Sequence, residues 1–289
     1  MSIQRVLITG ISGYTGSRLA HYFAELGVEV HGIVRVSSMR NYLYGVNCTL
    51  HEYDGSYGAL ERVFGAYKFD AVFHLAAIST YQCAGDNIAG MIGANITFGT
   101  QLLEAMAQRG CRKLVNTSTY WQHYTGSGYQ PNSFYAATKQ AFENIVDFYC
   151  FEHDMSAISL KLFDIYGAGD TRSKVFGLIN RAHAAGEALD MTEGEQKICV
   201  VDVDDVVRAY EIAVTQLKTG AHQRYFVGTE PRALRDVVEI YIALSGQDVQ
   251  INWGALPYRE KQIMVPYVGD LLPDWQPHNS LEDTIRKIV

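Results

Sequence analysis

Short apolar runs alternate with longer amphipathic stretches over the first 165 or so residues of this 289-residue chain. Arg5–Thr9 predicts a buried strand, because Val6, Leu7 and Ile8 follow one another with no polar residue left to face water. Glu29–Arg35, Cys48–Tyr53, Ala71–Leu75, Leu114–Ser118 and Ala157–Phe163 predict further strands, rich in Val, Ile, Leu and Phe. Between them, helices are expected at Thr15–Leu26, stopped by Gly27, and at Tyr57–Ala66, Asp86–Arg109 and Ser133–His153. Strands that are apolar on both faces and separated by helices pair in parallel beneath two helical layers. The handed crossover then makes a doubly wound parallel α/β sheet.

After Gly167 the rhythm changes. A turn-rich stretch, Gly167–Lys174, leads into a helix near Val175–Ala185. Ile198–Val201 predicts one more strand, and a helix follows from Asp204 to Leu217. Pro257, Pro266 and Asn252-Trp253-Gly254 fall in a looped tail before Ser280–Val289. The expected division is a large domain of residues 1–166 plus 197–222, and a smaller, mixed C-terminal lobe of 167–196 plus 223–289.

Composition narrows the function classes. Hydrophobic residues make up 48% and charged residues 19%, an ordinary globular balance. A formal net charge of −7 argues against a general nucleic-acid binder, which needs a basic surface to displace counterions. Cys48, Cys83, Cys111, Cys150 and Cys199 are scattered without CxxC spacing, as reduced cytosolic thiols are. The nine histidines show no metal spacing, so no metal is expected. No stretch reaches the ~18 apolar residues of a membrane span, and the N-terminus enters Val6-Leu7-Ile8 without a leader pattern. A cytoplasmic protein with no membrane partner is the expectation.

Thr9-Gly10-Ile11-Ser12-Gly13-Tyr14-Thr15-Gly16 follows a strand and opens a helix. Gly10 permits a tight turn, Gly13 lets backbone approach a pyrophosphate, and Gly16 lets helix and strand pack closely. Amides and dipole at the helix start favour the anion. This is the pattern of a dinucleotide site in a Rossmann sheet. An acidic residue roughly 20 positions further on would hold the ribose hydroxyls of NAD. Arg35 stands there instead, nineteen residues after Gly16, followed by Ser37, Ser38 and Arg40. A guanidinium and hydroxyls suit a 2′-phosphate, so NADP(H) is expected rather than NAD. The alternative is that Arg35 stacks on adenine and leaves the choice open.

Tyr135 and Lys139 stand at i and i+4 of a predicted helix and so share a face. A phenol with a pKa near 10 becomes useful when an ammonium beside it stabilises the phenolate, and a shift of ~3 units requires ~4 kcal/mol. Such a Tyr is the acid of carbonyl reduction or the base of alcohol oxidation. Asn116-Thr117-Ser118-Thr119 ends a predicted strand, where open α/β sheets bind ligands.

These features, with Asp54, His74-Leu75-Ala76-Ala77, Leu162-Phe163-Asp164-Ile165-Tyr166-Gly167 and Val203-Asp204-Asp205-Val206, resemble the extended short-chain dehydrogenase/reductases of the epimerase/dehydratase family. Those are nucleotide-sugar epimerases, dehydratases and ketoreductases, and the resemblance covers nearly the whole chain. It implies that Thr119, Tyr135 and Lys139 are catalytic, with Ser118 the fallback for Thr119, and that Asn95 supports the site. The implied cofactor set is Gly10, Ser12, Gly13, Tyr14, Thr15, Gly16, Arg35, Ser37, Arg40, Asp54, Gly55, Leu75, Ala76, Ala77, Thr117, Phe163 and Ile165, with Tyr135 and Lys139. The implied substrate set is Ser79, Tyr81, Thr119, Tyr120, Trp121, Asp164, Arg172 and Lys174.

Three departures narrow the reaction. The family's 4,6-dehydratases carry Asp-Glu directly after the catalytic Thr, whereas this chain has Tyr120-Trp121. Arg35 favours an exchangeable NADP(H). Ile198 stands roughly where the family often has an arginine that clamps the substrate pyrophosphate, and Arg172, Lys174 or Lys197 are the substitutes at hand. Tyr120-Trp121-Gln122-His123-Tyr124 and Lys161-Leu162-Phe163-Asp164 look like the CDP-abequose and CDP-paratose synthases, C4-ketoreductases of nucleotide-linked deoxysugars. The expectation is therefore an NADPH-dependent C4-ketoreductase of a nucleotide-diphospho 4-keto-6-deoxysugar in bacterial surface-glycan synthesis. It would be a homodimer through helices near 86–109 and 133–153. Two alternatives stay open: an NAD-dependent 4-epimerase, and a non-catalytic NADP-sensing protein, whose relatives generally lose the Tyr or Lys that this chain keeps.

Overall fold

The computed structural model describes residues 3–81, 83 and 85–289. Among them, seven parallel strands form one sheet. In chain order they are β1 (Arg5–Thr9), β2 (Glu29–Val34), β3 (Cys48–Glu52), β4 (Ala71–His74), β5 (Lys113–Thr119), β6 (Ser156–Leu162) and an edge strand at His222–Val227. Reading from that edge, the order is His222–Val227, β6, β5, β4, β1, β2, β3. Chain direction along the sheet reverses between β1 and β4, which opens a crevice at their carboxyl ends.

Two apolar layers cover the sheet. On one face α1 (Tyr14–Glu25) lies beside a helix at Val203–Thr215, burying Leu19, Phe23, Val206 and Tyr210 against Val6, Ile8, Phe73 and Val115. On the other, α2 (Tyr57–Ala66), α4 (Phe98–Gln108) and α5 (Phe134–His153) bury Leu60, Leu102, Met106, Phe142 and Val146 against Leu7, Val72 and Leu114. Alternation along each strand sends successive residues to the two layers, which is why these strands read as unbroken apolar runs. A third cluster holds the C-terminal lobe, where Phe176, Ile179, Met191, Val237, Tyr241 and Ile285 pack together.

Three expectations change. The helix expected over Asp86–Arg109 is broken into a 3₁₀ turn (Gly85–Asn87), α3 (Ile88–Ile92), a π turn (Gly93–Thr97) and α4. The strand expected at Ile198–Val201 is two short ones on either side of Cys199. Lys197–Ile198 pairs antiparallel with Arg232–Ala233, and Val200–Asp202 pairs in parallel with Asp164–Tyr166. His222–Val227 was not expected as a strand, and it crosses the expected domain boundary: residues 223–227 lie in the large sheet, not in the lobe. No described helix is long and apolar enough to cross a membrane.

Candidate active site

Beyond the carboxyl ends of β1, β4, β5 and β6 lies a cleft of about 300 Å³. Its floor is the turn after β1. Gly10 adopts φ +69°, and a Cβ there would stand 2.7 Å from the Ala76 amide nitrogen, where the chain leaving β4 crosses the turn. A Cβ on Gly16 would lie 2.2 Å from the Gly10 carbonyl oxygen. Gly13 is the N-cap of α1 and supplies no side-chain cap, so the first-turn amides are left for a ligand.

One wall is the start of α5. Ser133 caps it by accepting from the Ala136 amide at 3.2 Å, which sets Tyr135 and Lys139 on its buried face. Neither the Tyr135 hydroxyl nor the Lys139 ammonium has a hydrogen-bond partner among the described residues, and both side chains line the cleft. Burial pulls the Lys139 ammonium down to about 8, against a raising influence from Glu143. Burial pushes the Tyr135 phenol up to about 12. Burial thus opposes, at Tyr135, the lowering expected from an ammonium one helical turn away.

The end of β5 forms the roof. Thr119 accepts from the Trp121 amide at 3.2 Å, which leaves its own proton to donate. Ser118 lines the cleft, but its hydroxyl is committed to Gln122 (2.7 Å) and Glu143, so Thr119 is the available hydroxyl. Trp121 meets Tyr81, Tyr120 and Tyr135 edge-on and forms an aromatic wall. The π turn seats Asn95 inward. Its amide accepts from the Ile78 amide (2.8 Å) and donates to the Ile78 carbonyl (3.0 Å) and the Thr138 hydroxyl (2.9 Å), bracing α5 beside Lys139.

Most expected residues converge on this cleft: Gly10, Gly13, Tyr14, Thr15, Gly16, Leu75, Ala77, Ser79, Thr117, Thr119, Tyr120, Trp121, Tyr135, Lys139, Phe163, Asp164, Ile165, Arg172 and Lys174. Leu162 and Tyr210 also line it, and sequence reasoning missed them; the Tyr210 hydroxyl meets that of Thr117 at 2.6 Å. Ser12, Arg35, Ser37, Arg40, Asp54, Gly55, Ala76 and Tyr81 stand outside its lining. Arg35 and Ser37 are exposed just past β2, Arg40 pairs with Glu52 (3.2 Å), and Asp54 accepts from the hydroxyl and amide of Ser56. Arg172 is in the cleft, but its guanidinium grips Asp170 twice (2.7 Å each), donates to the Ile165 carbonyl (2.8 Å) and lies over the Tyr14 ring. Lys197 lines neither this cleft nor its neighbour. That neighbour, a cavity of about 290 Å³ in the lobe, shares Asp164, Ile165 and Lys174 with the cleft and is otherwise lined by residues such as Phe176, Asn180 and Tyr241.

A model of the NAD dependent epimerase/dehydratase family matches residues 6–228. The chain belongs to that family. It is 24% identical to a CDP-abequose synthase of Salmonella muenchen, over 99% of this chain and 97% of that protein. It is also 24% identical to a UDP-glucuronate 4-epimerase of Thermodesulfobacterium geofontis, over 98% and 94%. The fold superposes on the UDP-glucose 4-epimerase of Thermotoga maritima, solved with UDP-glucose, with TM-score 0.88, 23% identity and coverage of 98% and 96%. It superposes on the Thermus thermophilus UDP-glucose 4-epimerase complex with NAD with TM-score 0.85, 23% identity and coverage of 98% and 97%.

The residues of this epimerase/dehydratase chain fit a nicotinamide dinucleotide. The glycine turn is a cradle that side chains would fill, and it sits under uncapped helical amides. The Lys139 side chain is 1% exposed, and its ammonium faces the cleft with no protein hydrogen bond among the described residues; ribose hydroxyls would satisfy it.

Proposed function

We propose that this protein is an NADPH-dependent C4-ketoreductase of a nucleotide-diphospho 4-keto-6-deoxysugar. The observation that carries the reading is the convergence of Thr119, Tyr135 and Lys139 on one cleft, with aromatic Tyr120 and Trp121 at the two positions where a dehydratase would place carboxylates. The cofactor, when bound, supplies the hydride. Tyr135 is protonated at neutral pH, the state in which it donates to a ketone oxygen as that oxygen gains charge. Thr119 donates to the same oxygen, and Lys139 holds the ribose and stabilises the phenolate left behind. Trp121 and Tyr120 present ring faces and edges to the sugar. The lobe cavity takes the nucleotide, and Lys174, at 3.4 Å from Asp164, sits where the diphosphate passes between the two spaces. Lys174 thereby takes the clamping role, because Arg172 is already spent on Asp170.

Arg35, exposed at the end of β2 with no side-chain partner among the described residues, selects the 2′-phosphate. The enzyme is a cytoplasmic homodimer that pairs through the helical stretches near 86–109 and 133–153. Phe148 and Phe151 on α5 are 55% and 84% exposed, and Ile88 and Ile92 on α3 are 41% and 38% exposed, so each of the two helical stretches carries open apolar positions.

A second reading, an NAD-dependent nucleotide-sugar 4-epimerase, is favoured by one feature. Tyr42 bonds Thr171, and the Tyr14 ring of the glycine turn touches both Tyr42 and Arg172. That clasp joins the loop after β2 to the lobe, as a retained cofactor would need. The test is a screen of CDP-, GDP-, dTDP- and UDP-linked 4-keto-6-deoxysugars, following NADPH loss and product configuration. Stoichiometric NADPH consumption supports the reductase; isomerisation of a nucleotide sugar without it refutes the reductase in favour of the epimerase.

A further inference from the structure

β5 sends its side chains to two destinations. Thr117 and Thr119 turn toward the cleft, while Asn116 and Ser118 face the α5 side and enter one buried network. Asn116 donates to Ser159 Oγ at 2.9 Å, Ser159 Oγ meets His222 Nε2 at 2.7 Å, and His222 Nδ1 meets Asp147 Oδ1 at 2.8 Å. Arg224 donates to Asp147 at 2.6 Å and, from Nε, to Glu143 Oε2 at 2.9 Å. Glu143 closes the circuit, accepting at Oε1 from Ser118 Oγ and from Gln122 Nε2 at 3.2 Å. The Ser159–His222–Asp147 run has the connectivity of a hydrolytic triad. Ser159, however, is fully buried and lines neither cavity, so no substrate reaches it.

Glu143 is the node of this network. It is fully buried, one turn beyond Lys139 and two beyond Tyr135 on α5. A carboxylate so placed survives as an anion only when its charge is matched, here by Arg224, Lys161 and His222. Its charge also acts on Lys139, one turn before it on the same helix, and Lys139 in turn acts on the buried His74 of β4.

We propose that Glu143 is a positioning residue: its carboxylate fastens the Thr119 strand end to the helix that carries Tyr135 and Lys139, and it sets the counter-charge that keeps Lys139 an ammonium. The turnover part of the test rests on the ketoreductase reading; the titration part does not. Two variants separate the roles. Glu143→Gln keeps an oxygen acceptor for Ser118 and removes the charge, while Ser118→Ala removes the fastening and keeps the charge. In protein labelled with ε-¹³C-lysine, with the Lys139 signal assigned through Lys139→Met, Glu143→Gln is expected to move the Lys139 titration down by about one pH unit. The alkaline limb of kcat should move with it, and KM should stay within about threefold. Ser118→Ala is expected to leave that titration in place and to lower kcat about tenfold at every pH. Circular dichroism melts confirm that each variant is folded. A Lys139 titration unmoved in Glu143→Gln overturns the proposal, and so does wild-type turnover in Ser118→Ala. If the wild type reduces no 4-keto sugar, the functional reading fails, and the titration still decides the role of Glu143.

Discussion

Replacing Lys139 with Met should make the cofactor-free protein more stable while destroying its catalysis. Lys139 is 1% exposed, and burial pulls its ammonium from 10.5 to about 8, with the Glu143 attraction already included in that net change. A difference of about 2.5 units corresponds to roughly 3 kcal/mol of stability withheld from the native state at neutral pH. Methionine has nearly the same length and no charge to desolvate, so it should recover most of that amount. The sign depends on pH. Between about 8 and 10.5 the unfolded chain holds more protons at this lysine than the native one, so wild-type stability gains on the variant as pH rises. The advantage of Lys139→Met is therefore full below pH 8 and fades toward 10.5. Urea unfolding at pH 7 and pH 10, without cofactor, measures it. A gain of about 3 kcal/mol at pH 7 would raise Tm by roughly 5–10 °C. A Met variant no more stable than wild type at pH 7 would refute the reasoning, because it would mean that the ammonium is matched within the protein and does not await a ligand.

Tyr135→Phe should cut turnover by about two to four orders of magnitude with little change in dinucleotide affinity, since it removes the donated proton and leaves the glycine turn intact; near-normal turnover in a steady-state assay would exclude Tyr135 as the acid. Gly16→Ala places a Cβ 2.2 Å from the Gly10 carbonyl oxygen and 2.9 Å from the Ile11 Cα, both backbone. The turn must open, at a cost of about 1–3 kcal/mol, and dinucleotide affinity measured by fluorescence titration should fall at least about tenfold. Unchanged affinity would place the pyrophosphate elsewhere. Arg35→Asp should shift the ratio of kcat/KM for NADPH over NADH by about 10–100-fold toward NADH, the worth of a charge-assisted contact. A ratio that does not move would leave the 2′-phosphate without a recognised partner in this loop.

What the sequence made legible follows from how each feature is encoded. Parallel strands buried on both faces are continuous apolar runs, so β1 to β6 stand within a residue or two of their expected limits. The edge strand begins His222-Gln223-Arg224, and two of these three side chains enter the buried polar network. A strand that faces polar partners leaves no apolar run to read. Leu234–Ser245 went unread for a different reason. Its buried Leu234, Val237, Val238 and Tyr241 follow a helical period, but the turn-rich sequence around it suggested a looped lobe. The π turn had a signal in Gly90, Gly93 and the buried Asn95, although helical periodicity alone does not distinguish a wide turn from a regular one.

The proposed catalytic trio could be picked out in the sequence because its spacing is local. Tyr135 and Lys139 are one helical turn apart, and Thr119 ends a strand. Arg172 illustrates the opposite. A guanidinium two residues from Asp170 satisfies itself before any substrate arrives, and the Asp-x-Arg spacing already carried that information. Choosing between Thr119 and Ser118 needed one further fact, the pleat of β5. With Thr117 turned to Tyr210, Thr119 must share its side of the strand, and Ser118 must face α5, where Glu143 waits. Glu143, which that serine bonds, and Arg224, Asp147 and His222 beyond it in the network come from a helix and an edge strand whose adjacency exists only once the strand order is known. The proposed reacting groups are therefore written in short-range spacing, whereas the groups proposed to hold them in place are written in the order of the sheet. A search for residues that tune the reaction should accordingly follow Ser118 outward through the network rather than the motif along the chain.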